Sequence, residues 1–126
     1  MSPEDLKYTK EHEWVRLEDD VAVIGVTEHA QKQMGDVTFV ELPEIGKRVE
    51  RGGELGVIES VKSANDVYAP LSGKVGEINS HLNDSPEVIN SDPYGDGWIC
   101  RLDDLDESGL DDLMDARQYD EYIAEQ

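Results

Sequence analysis

Of the side chains able to act as a nucleophile, a base or an attachment point, Lys62 has the most distinctive setting. It lies within residues 52–73, GGELGVIESVKSANDVYAPLSG, where two strand-like runs can fold back on each other. On the first arm Leu55, Val57, Glu59 and Val61 alternate with Gly56, Ile58 and Ser60, the period of two of a half-buried strand. The second arm, residues 65–71, is closed by Pro70 and then by Ser72 and Gly73, which favour turns or lack a donor. A hairpin with Lys62 at its tip is therefore expected, and an amine held there can be reached by a modifying enzyme. The turn region, residues 61–64, has no Asn-Gly or Asp-Gly pair, so the spacing of the arms carries the expectation. By itself a lysine at a hairpin tip is ordinarily a solvated charge.

The rest of the inventory argues against catalysis. His12, His29 and His81 stand singly without metal-ligand spacing, and no glycine-rich phosphate loop follows a strand. No metal site is expected. Cys100 is the single cysteine, which excludes an internal disulfide; in the run Trp98-Ile99-Cys100 it reads as a small buried residue of a protein kept in a reducing cytosol. Asn83-Asp84-Ser85 matches a glycosylation pattern, but Pro86 follows it and nothing points to secretion, so it reads as a loop. Trp14 and Trp98 are expected to anchor the core.

A chain of 126 residues, with 37% hydrophobic and 33% charged residues, suits one domain spanning 1–126 with an economical core. Thirty Asp and Glu against eleven Lys and Arg give a formal charge of -19, a surface that repels phosphate backbones and anionic membranes. The acids are spread along the whole chain, which favours a solubility adaptation to a salt-rich cytoplasm over a localised steering patch. No apolar run approaches a membrane span, and the N-terminal residues resemble neither a signal peptide nor a transit peptide; a cytoplasmic protein is expected.

Residues 1–11 are polar and read as a loop or loosely held edge, with order beginning near Trp14. Residues 12–17 and 21–26 read as strands joined by the acidic turn Glu18-Asp19-Asp20. Residues 27–35 read as a short helix: Thr27 can cap it, Glu28 suits its first turn and Gly35 stops it. A strand over 37–42 would put Val37 and Phe39 on one side and Thr38, Val40 and Leu42 on the other, ending at Pro43. A faint echo links Ile45-Gly46-Lys47-Arg48-Val49 with Ser72-Gly73-Lys74-Val75, as in a sandwich of two similar halves. After a strand over 73–78, Ser85 and Pro86 look like the cap and first residue of a single helical turn, and residues 98–102 form the last strand. Residues 104–126 read as two short helices hinged near Asp115 and packed on the sheet through Leu110, Leu113, Met114, Tyr119, Tyr122 and Ile123. The fold class expected is mainly β: a flattened antiparallel β sandwich closing toward a barrel, with a short helix near 27–34 and short C-terminal helices.

Glu59-Ser60-Val61-Lys62-Ser63-Ala64, followed by Asn65-Asp66-Val67, resembles the prosthetic-group hairpin of glycine cleavage system H proteins. The likeness extends to HEWV at 12–15, to TEHAQKQMGDVTFVELPEIG at 27–46 and to NSDPYGDGW at 90–98, so it covers about residues 8–122. Ser63 departs from the family's usual alanine. Biotin domains place methionines on both sides of their lysine, whereas here the neighbours are Val61 and Ser63. Lipoyl domains of 2-oxoacid dehydrogenases usually carry an aspartate before the lysine and belong to longer chains.

The resemblance implies a carrier, not an enzyme, with lipoate bound covalently as an amide of Lys62. It implies that an aminomethyl group from glycine is shuttled from glycine decarboxylase (the P protein) to an aminomethyltransferase (the T protein), with reoxidation by dihydrolipoyl dehydrogenase (the L protein). It also implies a lipoate ligase or octanoyl/lipoyl transferase that reads the hairpin at Glu59, Ser60, Val61, Ser63 and Ala64, although Glu59 could equally serve hairpin solubility. The resemblance further implies that Glu13 and Asp66, at matching acidic positions, hold the loaded arm. A monomer is the default expectation. Two other readings compete: a lipoyl relay donating its cofactor to other lipoyl proteins, and an acidic interaction protein in which Lys62 is merely solvated.

Overall fold

The run Val21-Ala22-Val23-Ile24-Gly25-Val26 is buried on both of its faces, and the architecture follows from what covers each face. The structure, a computed structural model, describes residues 2–125. Strands β1 (Lys7–Tyr8), β2 (Glu13–Glu18), β3 (Val21–Val26), β5 (Arg48–Val49), β8 (Gly73–Ile78) and β9 (Cys100–Asp103) form an antiparallel sheet in the order β1-β2-β3-β9-β8-β5. A second antiparallel sheet contains β4 (Val37–Glu41), β6 (Glu54–Ser60) and β7 (Ala64–Tyr68), with β6 in the middle. The expected mainly β sandwich is thus found as two unclosed sheets with short helices. On one face of β3, Ala22, Ile24 and Val26 join Val40, Leu55, Ile58, Val67 and Leu71 in the core. On the other face Val23 joins Trp14, Tyr8, Leu6 and Tyr119 in a second cluster.

Local chemistry sets most of the elements. Glu18 pairs with Val21 across Asp19 and Asp20, and Asp19 has φ 56°, a left-handed turn conformation that Asp tolerates. In α1 (Glu28–Met34) the Thr27 Oγ1 accepts from the Ala30 N–H, and Gly35 ends the helix at φ 79°. The expected C-terminal helices are a 3-10 turn, Glu107–Asp112, and α4 (Ala116–Ala124). Asp115 is the hinge residue: its side chain caps α4, and Gln118 completes a capping box. The two echoing segments lie opposite each other, Arg48 against Lys74 and Val49 against Gly73.

Several expectations are corrected. β6 has an irregularity between Glu54 and Gly56, so Leu55 and Ile58 both turn into the core and Val57 does not share the Leu55 face. A second bulge between Val37 and Phe39 buries Val37 with Val40 and leaves Phe39 51% exposed. Residues 2–11 are tightly held: Leu6 and Tyr8 are buried, β1 pairs with β2, and Tyr8 bridges Met114 through two 2.8 Å backbone bonds. Ser85 closes α2 (His81–Asp84), a turn not expected from the sequence, and the next helical turn, α3 (Val88–Ser91), begins after Pro86 and not at it. Burial of Leu82 and Ile89 explains why both turns form. Trp14 is a full core anchor, its Nε1–H donating to the Pro93 carbonyl at 2.9 Å, but Trp98 is only half-buried beneath the Arg101 guanidinium.

Candidate functional site

Lys62 stands at the turn between the central strand of the small sheet, β6, and the edge strand β7. Glu59 pairs with Ala64, and the Ser60 N–H donates to the Ser63 carbonyl at 2.8 Å. Neither Val61 nor Lys62 has a positive φ, so the turn has no use for the Asn-Gly pair of primed hairpins. Ser60 supplies the local chemistry instead. Its Oγ lies 3.3 Å from the Lys62 N and 3.2 Å from the Ser63 N, both of which donate to it. Asn65 donates to the Ser63 Oγ at 3.0 Å, and the Val61 N–H donates to the Asp36 carbonyl at 3.0 Å, fastening the tip to the segment after α1.

Lys62 itself is exposed, as are Glu59, Val61, Ser63 and Ala64, while Ser60 is half-buried. All five arginines are ion-paired, whereas among the described residues no lysine is, so the Lys62 amine is not held in a salt bridge. Its stem lies over Gly35. A Cβ at that position would come within 2.9 Å of the Lys62 Cε, and at φ 79°, ψ -156° the backbone is in territory open essentially only to glycine.

Beside the tip is a cleft of about 350 Å³ lined by residues from the β1–β2 turn, α1 and β7, among them Glu13, Asp66, Tyr68, Gln33 and Met34. Ala64, two residues past the lysine, forms part of its wall. Glu13 is 2% exposed, its Oε1 accepting from the Thr9 hydroxyl at 2.6 Å and its Oε2 from the Tyr68 N–H at 3.2 Å. Burial pushes its carboxyl up to about 7, and Glu11 adds to the rise; the Thr9 and Tyr68 donors only partly oppose it. Asp66 is exposed and accepts from the Tyr68 hydroxyl at 3.4 Å. The two acids named from the sequence are therefore brought to one cleft, one inside it and one on its rim.

His12 borders the same cleft and links it to α4. Its Nδ1 lies 2.8 Å from the Tyr119 hydroxyl, which lies 2.7 Å from the Thr27 Oγ1 that caps α1. Burial and then the neighbouring His29 ring, 4.7 Å away between centroids, lower its pKa, against a smaller opposing effect of Glu11. Thr9 and Tyr68 were not singled out from sequence, and Gly35, Tyr119 and His12 were read there only as a helix stop, a packing residue and a lone histidine, not as parts of the site. The only local signal was the HEW text, which says nothing of residues 55 and 107 positions distant. Cys100 is buried, its thiol pushed up to about 12 by burial, as befits a packing residue. Among the described residues no three His, Cys, Asp or Glu are grouped to hold a metal, and no helix is long and apolar enough to cross a membrane.

A sandwich that holds one unpaired lysine at a tied-down hairpin tip, next to a cleft with a buried acid, defines the class of prosthetic-group carrier proteins. The family model described as Glycine cleavage H-protein matches residues 6–126. Glycine cleavage system H proteins of Symbiobacterium thermophilum and Shewanella denitrificans are 52% and 56% identical over 123 and 124 residues, covering 98% of this chain and 96% of each relative. The crystal structure of a glycine cleavage system H protein from Mycobacterium marinum superposes with a TM-score of 0.85 at 34% identity, covering 98% of both chains. The chain belongs to the glycine cleavage H-protein family, whose members are carrier subunits and not catalysts.

Proposed function

We propose that this protein carries lipoate as an amide of Lys62 and presents it in turn to the P, T and L proteins of glycine cleavage. The observation that carries the reading is the exposed, unpaired lysine on a hairpin fixed at Ser60 and Asp36 beside a cleft of about 350 Å³. The residues present fit the group: the amine is accessible to an attaching enzyme, bare Gly35 leaves room for the stem, and the cleft offers apolar wall from Ala30 and Met34 with an acid at its base. When bound, the lipoyl group supplies a cyclic disulfide that can take up a one-carbon amine and two electrons and give them up elsewhere.

The chain's own residues fasten, shelter and release. Ser60 and Ser63 shape the turn that a lipoate ligase or octanoyl/lipoyl transferase reads, with Val61 and Ala64 flanking the lysine and Glu59 on the outer surface. The cleft holds the amine cargo away from water, with Glu13 and Asp66 as its carboxylate partners. The protein acts as a cytoplasmic monomer. The 52–56% identity to glycine cleavage system H proteins favours this role over a lipoyl relay or an acidic interaction protein.

Mass spectrometry of the protein from native cells tests the attachment: one lipoyl increment on the peptide containing Lys62, absent from Lys62→Arg, is expected. A residue 62 that is always bare refutes it. The shelter is tested by the lifetime of the amine-loaded protein, which should shorten by roughly tenfold in Glu13→Gln, the loss of one charge-assisted contact. Asp66→Asn, on the rim, should shorten it less.

A further inference from the structure

Glu13 presents an unusual combination: a carboxylate that is 2% exposed, open toward a cleft, and without a cationic partner among the described residues. A buried carboxylate with no counter-ion ordinarily sheds its charge by keeping its proton. The Thr9 and Tyr68 donors oppose this only in part, and the cleft supplies no cation to add to them. From the β1–β2 turn come Glu11, an acid, His12, whose pKa burial lowers, and the Thr9 hydroxyl. From β7 come Asp66, another acid, and the Tyr68 N–H; from α1 the polar lining group is the uncharged Gln33.

Thr9 is suited to either protonation state. Its hydroxyl oxygen accepts from the Glu13 N–H at 3.1 Å while its proton points to the Glu13 Oε1 at 2.6 Å. If Oε1 carries the proton, the same short contact persists with the direction of donation reversed. Tyr68 N–H continues to serve Oε2 in both states. Changing the charge of Glu13 thus requires no rearrangement of the backbone.

We propose that Glu13 is the proton-exchanging selector of the cleft: protonated while the cleft holds no amine, it loses that proton to solvent when a cationic amine cargo enters. The inference rests on the carrier reading above for the identity of the cargo. Occupancy by the ammonium then leaves a neutral pair, Glu13 carboxylate with ammonium, and up to one proton is released to water for each cargo sheltered, the full proton below the midpoint of the empty cleft and less above it. The uncharged arm gains no such partner, so the cleft distinguishes a loaded arm from an empty one by charge and holds the loaded arm more firmly as pH rises. The near-neutral titration of the Glu13 carboxyl places this exchange within the physiological range.

The test is a carboxyl-carbon NMR titration of glutamate-labelled protein, with the Glu13 resonance assigned by its disappearance in E13Q. In the unmodified chain the midpoint is expected near pH 7, where burial places it. In the amine-loaded protein it should fall by more than one pH unit, a weakening of proton binding of more than about tenfold. A second readout is the ratio of loaded-protein lifetimes in wild type and E13Q, which should grow by roughly five- to tenfold between pH 6 and pH 8, the most that a midpoint near 7 allows. A midpoint of about 4 to 5 in the unmodified chain, as for an ordinary glutamate, or an identical midpoint with and without cargo, overturns the proposal and leaves the carrier reading standing. A Lys62 that is never modified overturns the carrier reading, while the midpoint in the unmodified chain still decides the state of Glu13.

Discussion

At the scale of single residues, the site joins an amine left in water to an acid taken out of it. The amine needs exposure to be modified, whereas the acid needs burial to be selective, and the fold provides each within one cleft region. The cost of burying Glu13 appears in the pH dependence of stability. Its folded-state pKa, about 7, lies above the ordinary 4.5, so the folded protein binds the proton more tightly than the unfolded chain. That stabilising contribution is complete below about pH 4.5 and is lost as pH rises through about 7. E13Q, which can still accept from Tyr68 N–H and donate to Thr9, does not titrate. Its advantage over wild type should be absent at pH 4 and reach up to about 3 kcal/mol at pH 8, measured by urea denaturation at both pH values. Cys100 permits a simpler check: a buried thiol pushed up to about 12 should resist iodoacetamide at pH 8 until denaturant is added.

Elements matter here for where they end. The stop of α1 at Gly35 provides the bare backbone over which the Lys62 stem lies, and the carbonyl of Asp36 next to it receives the Val61 N–H. Gly35→Ala should destabilise the protein by about 1–3 kcal/mol, since its φ, ψ region is close to glycine-only, and should displace the lysine. Amide exchange at Val61 reads the displacement directly. The start of α1 is tied as closely: Thr27, fully buried, accepts from Ala30 N–H and meets the Tyr119 hydroxyl. Thr27→Ala should cost about 1–2 kcal/mol, and Thr27→Ser, which keeps the cap, should cost less. Because Tyr119 also holds His12 at the cleft border and stacks on Tyr8 at 4.6 Å, the C-terminal helix is a supporting wall of the site.

Over the molecule as a whole, a charge of -19 sets the surface physics. The five ion pairs are between partly exposed groups and contribute little each. Mutual repulsion of the remaining acids should therefore dominate the salt response, and a melting temperature that climbs between low and molar KCl is expected, because the screening length falls to about 3 Å at 1 M. A melting curve indifferent to salt would count against salt adaptation. Partners that bind the lysine tip must approach through the same negative field, so a basic face is expected on each of them.

Much of this was legible in the amino-acid order because it depends on near neighbours. Alternation marked the longer strands but not the two-residue strands β1 and β5, Thr27, Gly35 and Asp115 marked the ends of helices, and the text around residue 62 marked the hairpin and its lysine. Only the tertiary structure decided which faces were covered. The bulges at Leu55 and near Thr38 moved side chains off their simple alternation, and Tyr8 and Leu6 became core residues because α4 and β2 enclose them. The burial of Glu13, and hence its protonation, follows from contacts with Thr9 and with Tyr68, the latter 55 residues away. Local sequence can name an acid, but its charge depends on how much water the rest of the chain removes from around it.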